Sequence, residues 1–393
     1  MENLTIVLHS TLTVPSIMGG AVETLLNNFL EENEKKKRFR CTVIAHYVAG
    51  IDSYKDKFHY AKFEYIRMPT LCIRFNSVLI NKYHLKLIPD LWEKLLINKV
   101  IEVGNEKVLV EGGGQMVIKL KKRCPQLKIY YHLHADMKEY RDDQELCVMN
   151  SIEKIIGVSR YISDKQISYG ILPEKSTFVL NGLNLRDFCI ENIKESREEI
   201  CTQFGLDVNK KYILFKGRIV KEKGILELIE AFSKIKRGDI SLLIAGSVNF
   251  AEKRLIKNKF EQLVRKKIDK DQRIKLLGYV NYKDMPKLQK ISELAVVPSI
   301  WQEPCGLVVI ENIISGLPLI ATKTGGIPEV INGTQAIALN VDEEFIEKLA
   351  SEIENILVDD ERRLRMSESE YKNRIYLSTE RYYDDLCNVL EER

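Results

Sequence analysis

The feature that most limits the fold of this chain is a repeated alternation of short apolar runs with longer amphipathic stretches. In the first part of the sequence, such runs lie at 4–8, 41–45, 108–111, 129–132 and 155–158. Continuous valine, isoleucine and leucine are typical of parallel strands that are covered on both faces. Stretches with helical periodicity lie between them, among them 21–32 and 90–100. This βα alternation predicts a doubly wound, Rossmann-like domain.

The alternation pauses over about 186–210, a charged segment with weak periodicity, and then begins again. The second set of apolar runs lies at 212–215, 241–245, 274–277, 294–298 and 319–321. A helix is predicted over 225–234, and 361–393 is predicted to be helical. We therefore predict an α/β chain with two Rossmann-like domains, 1–185 and 186–375. We also expect a C-terminal helix at about 376–393 to pack back on the first domain.

The composition excludes several classes of protein. The 393 residues contain no apolar run of about 18, so no membrane-spanning helix is predicted. The net charge of +4 is too small to suggest a nucleic-acid partner. The eight cysteines are scattered and form no CxxC pair, which favours free thiols in a cytoplasmic protein over a zinc or redox site.

The segment 294–316 has the order strand, loop, helix. Its apolar run ends at 298–299, a loop covers 300–305, and the helix is predicted over 306–315. A helix that begins just after a strand is a frequent anion site, because its first amides have no partner within the helix. We therefore expect a phosphate to bind at the amides of Gly306, Leu307 and Val308.

Two glutamates flank this predicted anion site, Glu303 in the loop and Glu311 on the helix. A carboxylate accepts hydrogen bonds from hydroxyl groups, so Glu303 could bind a sugar and Glu311 the two hydroxyls of a ribose. Taken singly, each could equally be an ordinary solvated acid.

The string EPCGLVVIE, with PS before it and SGLPLIATKTGGIPE after it, resembles the E-x7-E signature of family 4 retaining glycosyltransferases. These enzymes have the GT-B fold, in which two Rossmann-like domains face each other across a cleft, and many act in bacterial cell-surface polysaccharide synthesis. In the family, the first glutamate contacts the donor sugar and the second contacts the ribose, which implies those roles for Glu303 and Glu311. Cys305 stands where the family often has phenylalanine, in a position that varies.

Two cations follow the first strand of the second half, Arg218 and Lys223. A forked guanidinium and an ammonium five residues apart could hold a diphosphate. The alternative is a solvated basic turn, since Lys211, Lys216 and Lys221 are close in sequence. The resemblance favours the first interpretation, because the family pattern G-R-x4-K-G matches Arg218 and Lys223. It implies that both stabilise charge on the leaving nucleotide diphosphate.

Two further segments resemble parts of the family's donor site. Gly19 and Gly20 open the first predicted helix, where the family has a glycine-rich loop near the donor phosphate; without the resemblance, a glycine pair indicates only a turn. The strand end Gly278-Tyr279-Val280 resembles a wall of the nucleotide-base site.

The end of the fourth apolar run carries His132, His134 and Asp136 at alternate positions. Such a set could ligate a metal, or its histidines could simply be buried. The family commonly has a histidine here near the reacting carbon of the sugar, and it needs no metal. The resemblance therefore implies that His134 is catalytic, with His132 as the second candidate.

Together these features predict a metal-independent retaining glycosyltransferase without a cofactor. We expect it to move a hexose-type sugar from a nucleotide-sugar, most simply a UDP-sugar, to a glycan or a lipid-linked acceptor. The residues at 71–99 mix apolar and basic side chains and could contact the inner face of the cell membrane, or form a core-facing helix pair. The alternatives are a sugar phosphorylase, a nucleotide-sugar epimerase, or a non-catalytic protein of the same fold.

Overall fold

The structure is a computed structural model, and it describes residues 1–8, 12–16, 20–51, 54, 56–67, 88–138, 140–246 and 259–392. The chain divides into two compact units. The first unit contains Met1–Asn181 and Tyr382–Arg393, and the second unit contains Gly182–Arg381.

The first unit is built on a parallel sheet with strand order β3-β2-β1-β4-β5-β6-β7. Its strands are β1 (Glu2–Leu8), β2 (Phe39–His46), β3 (Ala61–Ile66), β4 (Lys107–Glu111), β5 (Lys128–Leu133), β6 (Lys154–Gly157) and β7 (Ser176–Phe178). Its helices are α1 (Ala21–Lys36), α2 (Ile88–Val103), α3 (Gly114–Arg123), α4 (Asp143–Asn150) and α5 (Arg160–Ser168). All predicted apolar runs of this half fall within strands or at their ends, so the βα prediction is confirmed here.

Two strands of the first unit, β3 and β7, lie at the edges of the sheet and were not predicted from the sequence. The segment of β3, AKFEYI, carries Lys62 and Glu64, and only its two ends are buried. The middle of this edge strand is exposed or only partly buried, so it does not need the continuous apolar run that marked the central strands.

The second unit has a parallel sheet with strand order β10-β9-β8-β11-β12-β13. Its strands are β8 (Lys211–Lys216), β9 (Ile240–Ala245), β10 (Ile274–Gly278), β11 (Ser292–Val297), β12 (Leu319–Thr322) and β13 (Ile337–Leu339). Its helices are α6 (Arg197–Phe204), α7 (Ile225–Lys234), α8 (Lys259–Ile268), α9 (Met285–Ile291), α10 (Leu307–Ser315), α11 (Ile327–Val330), α12 (Phe345–Val358) and α13 (Asp360–Asn373). Helix α14 (Thr379–Glu391) begins in this unit and continues into the first.

The charged segment at about 186–210, where the sequence indicated only a connection between the two domains, contains helix α6. A capping box starts this helix: the Ser196 hydroxyl accepts from the Glu199 amide, and the Glu199 carboxylate accepts from the Ser196 amide. Such a cap satisfies two amides that would otherwise lack partners. The eight-residue helix buries only Ile200 and Cys201, which explains why its apolar periodicity is weak.

The first unit ends at Asn181, four residues before the predicted boundary at 185. The reason is a local pairing in the second unit: the Leu183 amide donates to the Leu377 carbonyl, and the Thr379 amide donates to the Leu183 carbonyl. The chain returns to the first unit at Tyr382, where the Tyr383 hydroxyl donates to Asn33 Oδ1 at 2.8 Å. We expected this return to begin near 376.

The stretch proposed to contact a membrane lies partly outside the described residues, which exclude 68–87. In helix α2, the side chains of Trp92, Leu96 and Val100 are buried. This part of the stretch therefore packs in the core of the first unit. Among the helices of the described residues, none combines the length and apolar character needed to cross a bilayer.

Candidate functional site

The predicted donor-binding residues of the second unit gather where its parallel strands end. Strand β8 ends at Lys216, β11 ends at Val297, and β12 ends at Thr322. These three strands are neighbours in the sheet, so the loops that follow them meet at one edge. The carboxyl ends of strands are the usual place for ligands in such folds.

Glu303 lies in the loop after β11 and is almost fully buried, with 5% of its surface exposed. Its Oε1 accepts from the Ser299 hydroxyl at 2.7 Å and from Lys223 Nζ at 2.5 Å. Two of the predicted site residues, 80 positions apart in the chain, are therefore in direct contact. A buried carboxylate needs such a partner, since an unpaired buried charge is costly.

Two glycines allow the loops to approach closely enough for this contact. Gly224 follows Lys223 at φ +68°, and a Cβ there would lie 1.8 Å from the Pro298 carbonyl oxygen. Gly325, after β12, has φ +55°, and a Cβ there would lie 2.0 Å from the Glu303 carbonyl oxygen. Any larger residue would push the loops apart, so both positions need glycine.

Glu311 is paired as well, with Lys216 at the end of β8. The Lys216 ammonium lies 2.8 Å from Glu311 Oε2 and 5.0 Å from the centre of the Phe188 ring. Burial lowers the pKa of Lys216, and Glu311 offsets this in part. The sequence pattern predicted a ribose contact for Glu311. It did not identify Lys216 as its partner, because Lys216 was only one of several lysines close in sequence to Arg218 and Lys223.

Helix α10 begins directly beside Glu303. Gly306 precedes the helix at φ +82°, and no side chain caps this end. The amides of Leu307 and Val308, in the first turn of α10, come too early in the helix to have an intrahelical acceptor. Cys305 is buried with 2% of its surface exposed. This arrangement matches the predicted anion site.

The remaining predicted residues have different settings. Arg218 is exposed on the loop after β8, and Tyr279 is exposed just after β10. Gly278, at φ +71°, ends β10, and Val280 follows as a partly buried residue. Gly20 precedes helix α1 in the first unit, whereas Gly19 lies outside the described residues.

In the first unit, a buried cluster of three side chains lies at the ends of β4 and β5. Glu111 and His132 are register partners in these strands, and His134 follows β5. Glu111 Oε2 lies 2.6 Å from His134 Nε2 and 3.1 Å from His132 Nδ1. His132 has no exposed surface, whereas 16% of the His134 side chain is exposed. Of the two histidines, His134 is therefore the one with surface available to a ligand.

The three ligand atoms of this cluster lie within 4.8 Å of one another. The sequence suggested Asp136 as the acid beside these histidines, and that expectation is wrong. The Asp136 carboxylate accepts from the Tyr161 and Tyr169 hydroxyls at 3.1 and 2.8 Å. Glu111 takes its place. It was missed because it belongs to another strand, although its position as a charged residue ending an apolar run was a usable signal.

Burial would by itself raise the pKa of Glu111, but the charge and hydrogen bonds of His132 and His134 lower it to about 2. Glu111 is therefore ionised at neutral pH. Burial, together with the nearby His132, lowers the pKa of His134, against the opposing effect of Glu111. His134 is therefore a neutral imidazole at neutral pH.

A comparison with protein families matches residues 196–373 to the model described as glycosyl transferases group 1. Among curated proteins, the chain is similar to spore coat protein SA of Bacillus subtilis, with 29% identity over 287 residues, 70% of this chain and 75% of that protein. It is also similar to the lipopolysaccharide 1,2-N-acetylglucosaminetransferase of Salmonella typhimurium, with 25% identity and 67% of each chain covered.

Among solved structures, the fold is similar to that of the Anabaena protein HepE, determined in complex with UDP-glucose. The TM-score is 0.73 at 17% identity, and the match covers 98% of this chain and 99% of that one. At this identity the likeness concerns the fold.

Proposed function

We propose that the chain is a retaining glycosyltransferase acting in the synthesis of a cell-surface glycan, because residues 196–373 match the family model of glycosyl transferases group 1. The fold is GT-B, as predicted from the sequence, with one Rossmann-like sheet in each unit. The donor is a nucleotide-sugar with a hexose-type sugar, and a UDP-sugar is the first choice. This choice is supported by the UDP-glucose complex of the similarly folded Anabaena protein.

The observation that carries this proposal is the contact between Lys223 and Glu303 beside the uncapped start of α10. It brings together a cation, a carboxylate and helix amides within one loop cluster. A cation and amides suit a diphosphate, while a carboxylate suits sugar hydroxyls. A nucleotide-sugar has both groups side by side.

In this proposal, Arg218, Lys223 and the amides at Gly306 and Leu307 bind the diphosphate and stabilise the charge that develops on it. As the bond between the anomeric carbon and the phosphate oxygen breaks, the bonding pair leaves with the nucleoside diphosphate. The acceptor hydroxyl attacks from the same face, and its proton passes to the leaving phosphate. No general base is required from the protein.

Other residues bind the rest of the donor. Glu303 accepts from hydroxyls of the transferred sugar, and Glu311 accepts from the ribose. The strand end at Gly278, Tyr279 and Val280 contacts the base, and Val308 contributes an amide at the start of α10. His134, in the first unit, contacts the sugar close to its reacting carbon.

The acceptor is a glycan or a lipid-linked intermediate. Similarity to the Salmonella lipopolysaccharide transferase supports this class. We place the enzyme in the cytoplasm at the inner face of the membrane. Co-sedimentation with vesicles containing anionic lipid tests this: binding should be lost as salt is raised, and absence of binding at low salt would contradict it.

The main test is product analysis with UDP-, GDP- and TDP-sugars and a panel of glycan acceptors. We expect one donor to raise the melting temperature and to yield a product with the donor's anomeric configuration, in the presence of a metal chelator. Arg218→Ala should weaken donor binding and lower turnover at least tenfold, while Arg186→Ala, on a turn distant in sequence from the pattern, should not. Unchanged donor binding and turnover in Arg218→Ala would show that the assigned site is wrong.

A further inference from the structure

The hydrogen bonds within the cluster of Glu111, His132 and His134 determine which ring nitrogens carry a hydrogen. An ionised carboxylate can only accept hydrogen bonds. Glu111 lies within hydrogen-bonding distance of His134 Nε2 and His132 Nδ1, so each of these two nitrogens must carry the hydrogen. A neutral imidazole has only one N–H. The second nitrogen of the His134 ring, Nδ1, is then a bare acceptor.

The ring nitrogens that do not face Glu111, His132 Nε2 and His134 Nδ1, have different surroundings. His132 Nε2 is buried and has no hydrogen-bond partner among the described residues. His134 is the member of the cluster with the largest exposed fraction. Its Nδ1 is the nitrogen that the carboxylate leaves available to a ligand.

We propose that Glu111 is a positioning residue that holds His134 in its Nε2–H tautomer, so that Nδ1 accepts a hydrogen bond from a sugar hydroxyl. This inference rests on the proposed role of His134 as a residue that contacts the transferred sugar. Glu111 itself touches no substrate and acts through the imidazole. His132 contacts the same carboxylate, and its ring packs against that of His134, with the ring centres 4.3 Å apart.

The same three side chains could in principle hold a metal ion, but the contacts favour the hydrogen-bonded arrangement. A zinc ion would lie about 2.0–2.2 Å from each nitrogen and oxygen. Here the carboxylate oxygen itself occupies hydrogen-bonding distance from both nitrogens, at 2.6 and 3.1 Å. Ligand atoms of one tetrahedral zinc ion lie about 3.3–3.6 Å apart, so the shorter of these two distances is that of a hydrogen bond rather than that of two ligands of one ion. Metal binding is therefore an outcome that the test must be able to detect.

The test combines two measurements on the full chain. Nitrogen-15 NMR of labelled histidine at neutral pH reports which ring nitrogen carries the hydrogen. Steady-state kinetics report kcat and the KM for the donor. The variants are Glu111→Gln and Glu111→Asp. Glu145→Gln is the matched control, since Glu145 is another buried glutamate of the first unit, paired with Arg141 and Gln115.

In the wild type, we expect His134 to show hydrogen on Nε2 and a bare Nδ1. Glutamine is neutral and adds an NH2 donor, so in Glu111→Gln the side chain no longer strongly favours hydrogen on His134 Nε2, and we expect this tautomer to be less populated. We expect kcat to fall about 10–100-fold, as is typical when an outer hydrogen-bond partner is lost. The donor KM should change less than twofold. Glu111→Asp keeps the charge but not the reach, and should recover part of kcat.

Several results would overturn the proposal. One is a wild-type His134 with hydrogen on Nδ1, or an unchanged tautomer and kcat in Glu111→Gln. Another is stoichiometric binding of zinc that Glu111→Gln abolishes. The NMR measurement needs no turnover. Absence of sugar transfer by the wild type would therefore contradict the proposed function alone, whereas an unchanged tautomer would contradict the positioning role alone.

Discussion

Both units bury a glutamate at the carboxyl end of their parallel sheet, but they neutralise it in different ways. In the second unit, Glu303 and Glu311 each contact a lysine. In the first unit, Glu111 contacts two histidines, and no lysine or arginine among the described residues forms an ion pair with it. Lysine keeps its charge through the physiological pH range unless it is deeply buried, whereas histidine changes charge within it.

The difference suggests a division of tasks. A site for a diphosphate benefits from a fixed positive charge, which Lys223 supplies while its partner Glu303 stays available to hydroxyl groups. A group that must present a particular lone pair benefits from a neutral ring held by a carboxylate. We therefore expect mutations in the two clusters to have different signatures.

The largest effect should come from Glu303. Glu303→Gln removes the charge that holds Lys223 and leaves one acceptor oxygen in place of two for sugar hydroxyls, and we expect kcat/KM to fall by about 10³, the scale seen when a preorganised electrostatic group is lost. Steady-state kinetics with the identified donor will measure it. Glu222→Gln, an exposed glutamate next to Lys223, is the control. A change of less than fivefold in Glu303→Gln would exclude this cluster as the reaction site.

The next effect concerns stability. Lys216→Met leaves Glu311 without its partner in a mostly buried position, and we expect the free energy of unfolding to fall by about 3 kcal/mol, the scale for breaking a buried pair. Urea unfolding followed by circular dichroism will measure this. Lys221→Met alters an exposed lysine of the same loop and should shift stability by less than about 0.5 kcal/mol. Equal effects of the two variants would show that the pair contributes nothing.

The smallest expected effect is on the pH dependence of stability. It concerns a buried glutamate that forms no ion pair among the described residues. Glu370 on α13 is fully buried, and burial raises its pKa to about 8 against the opposing hydrogen bonds of backbone amides. Its folded pKa lies above the unfolded value of 4.5. Its contribution to stability is therefore complete below pH 4.5 and declines as the pH rises towards 8.

Between pH 5 and pH 6.5, we expect the free energy of unfolding of Glu370→Gln to fall by about 2 kcal/mol less than that of the wild type. Urea titrations at both values will measure this difference. Glu368→Gln, two residues away and exposed, is the control and should follow the wild type. Parallel decline in all three proteins would mean that Glu370 is ionised in the folded state.

The sequence predicted the central strands and the loop and helix from 300 to 315 well because each has a strong local signal. Buried strands show as continuous apolar runs, and Glu303 to Glu311 lie within a nine-residue string. Edge strand β3 lacks such a run because only its two end residues are fully buried. Helix α6 is too short to show a clear apolar face, although its cap residues Ser196 and Glu199 were legible.

Contacts between distant segments could not be predicted from a single sequence. The pairing of Lys216 with Glu311 joins the ends of β8 and the middle of α10, and the pairing of Glu111 with His134 joins two strands. Each depends on which strands are neighbours and on their register. Once the order β1-β4-β5 is known, the register places Glu111 opposite His132, and the cluster follows.

The return of residues 382–393 to the first unit has a consequence for how the protein is made. A ribosome releases the chain from its N-terminus, so the whole second unit emerges before the buried side chains of Tyr382, Tyr383 and Leu386 are available. The first unit must wait with part of its apolar surface exposed while about 200 residues are translated, which takes about 10–40 s at typical rates. In this interval its exposed core is open to chaperones and to aggregation, so synthesis speed becomes a determinant of yield.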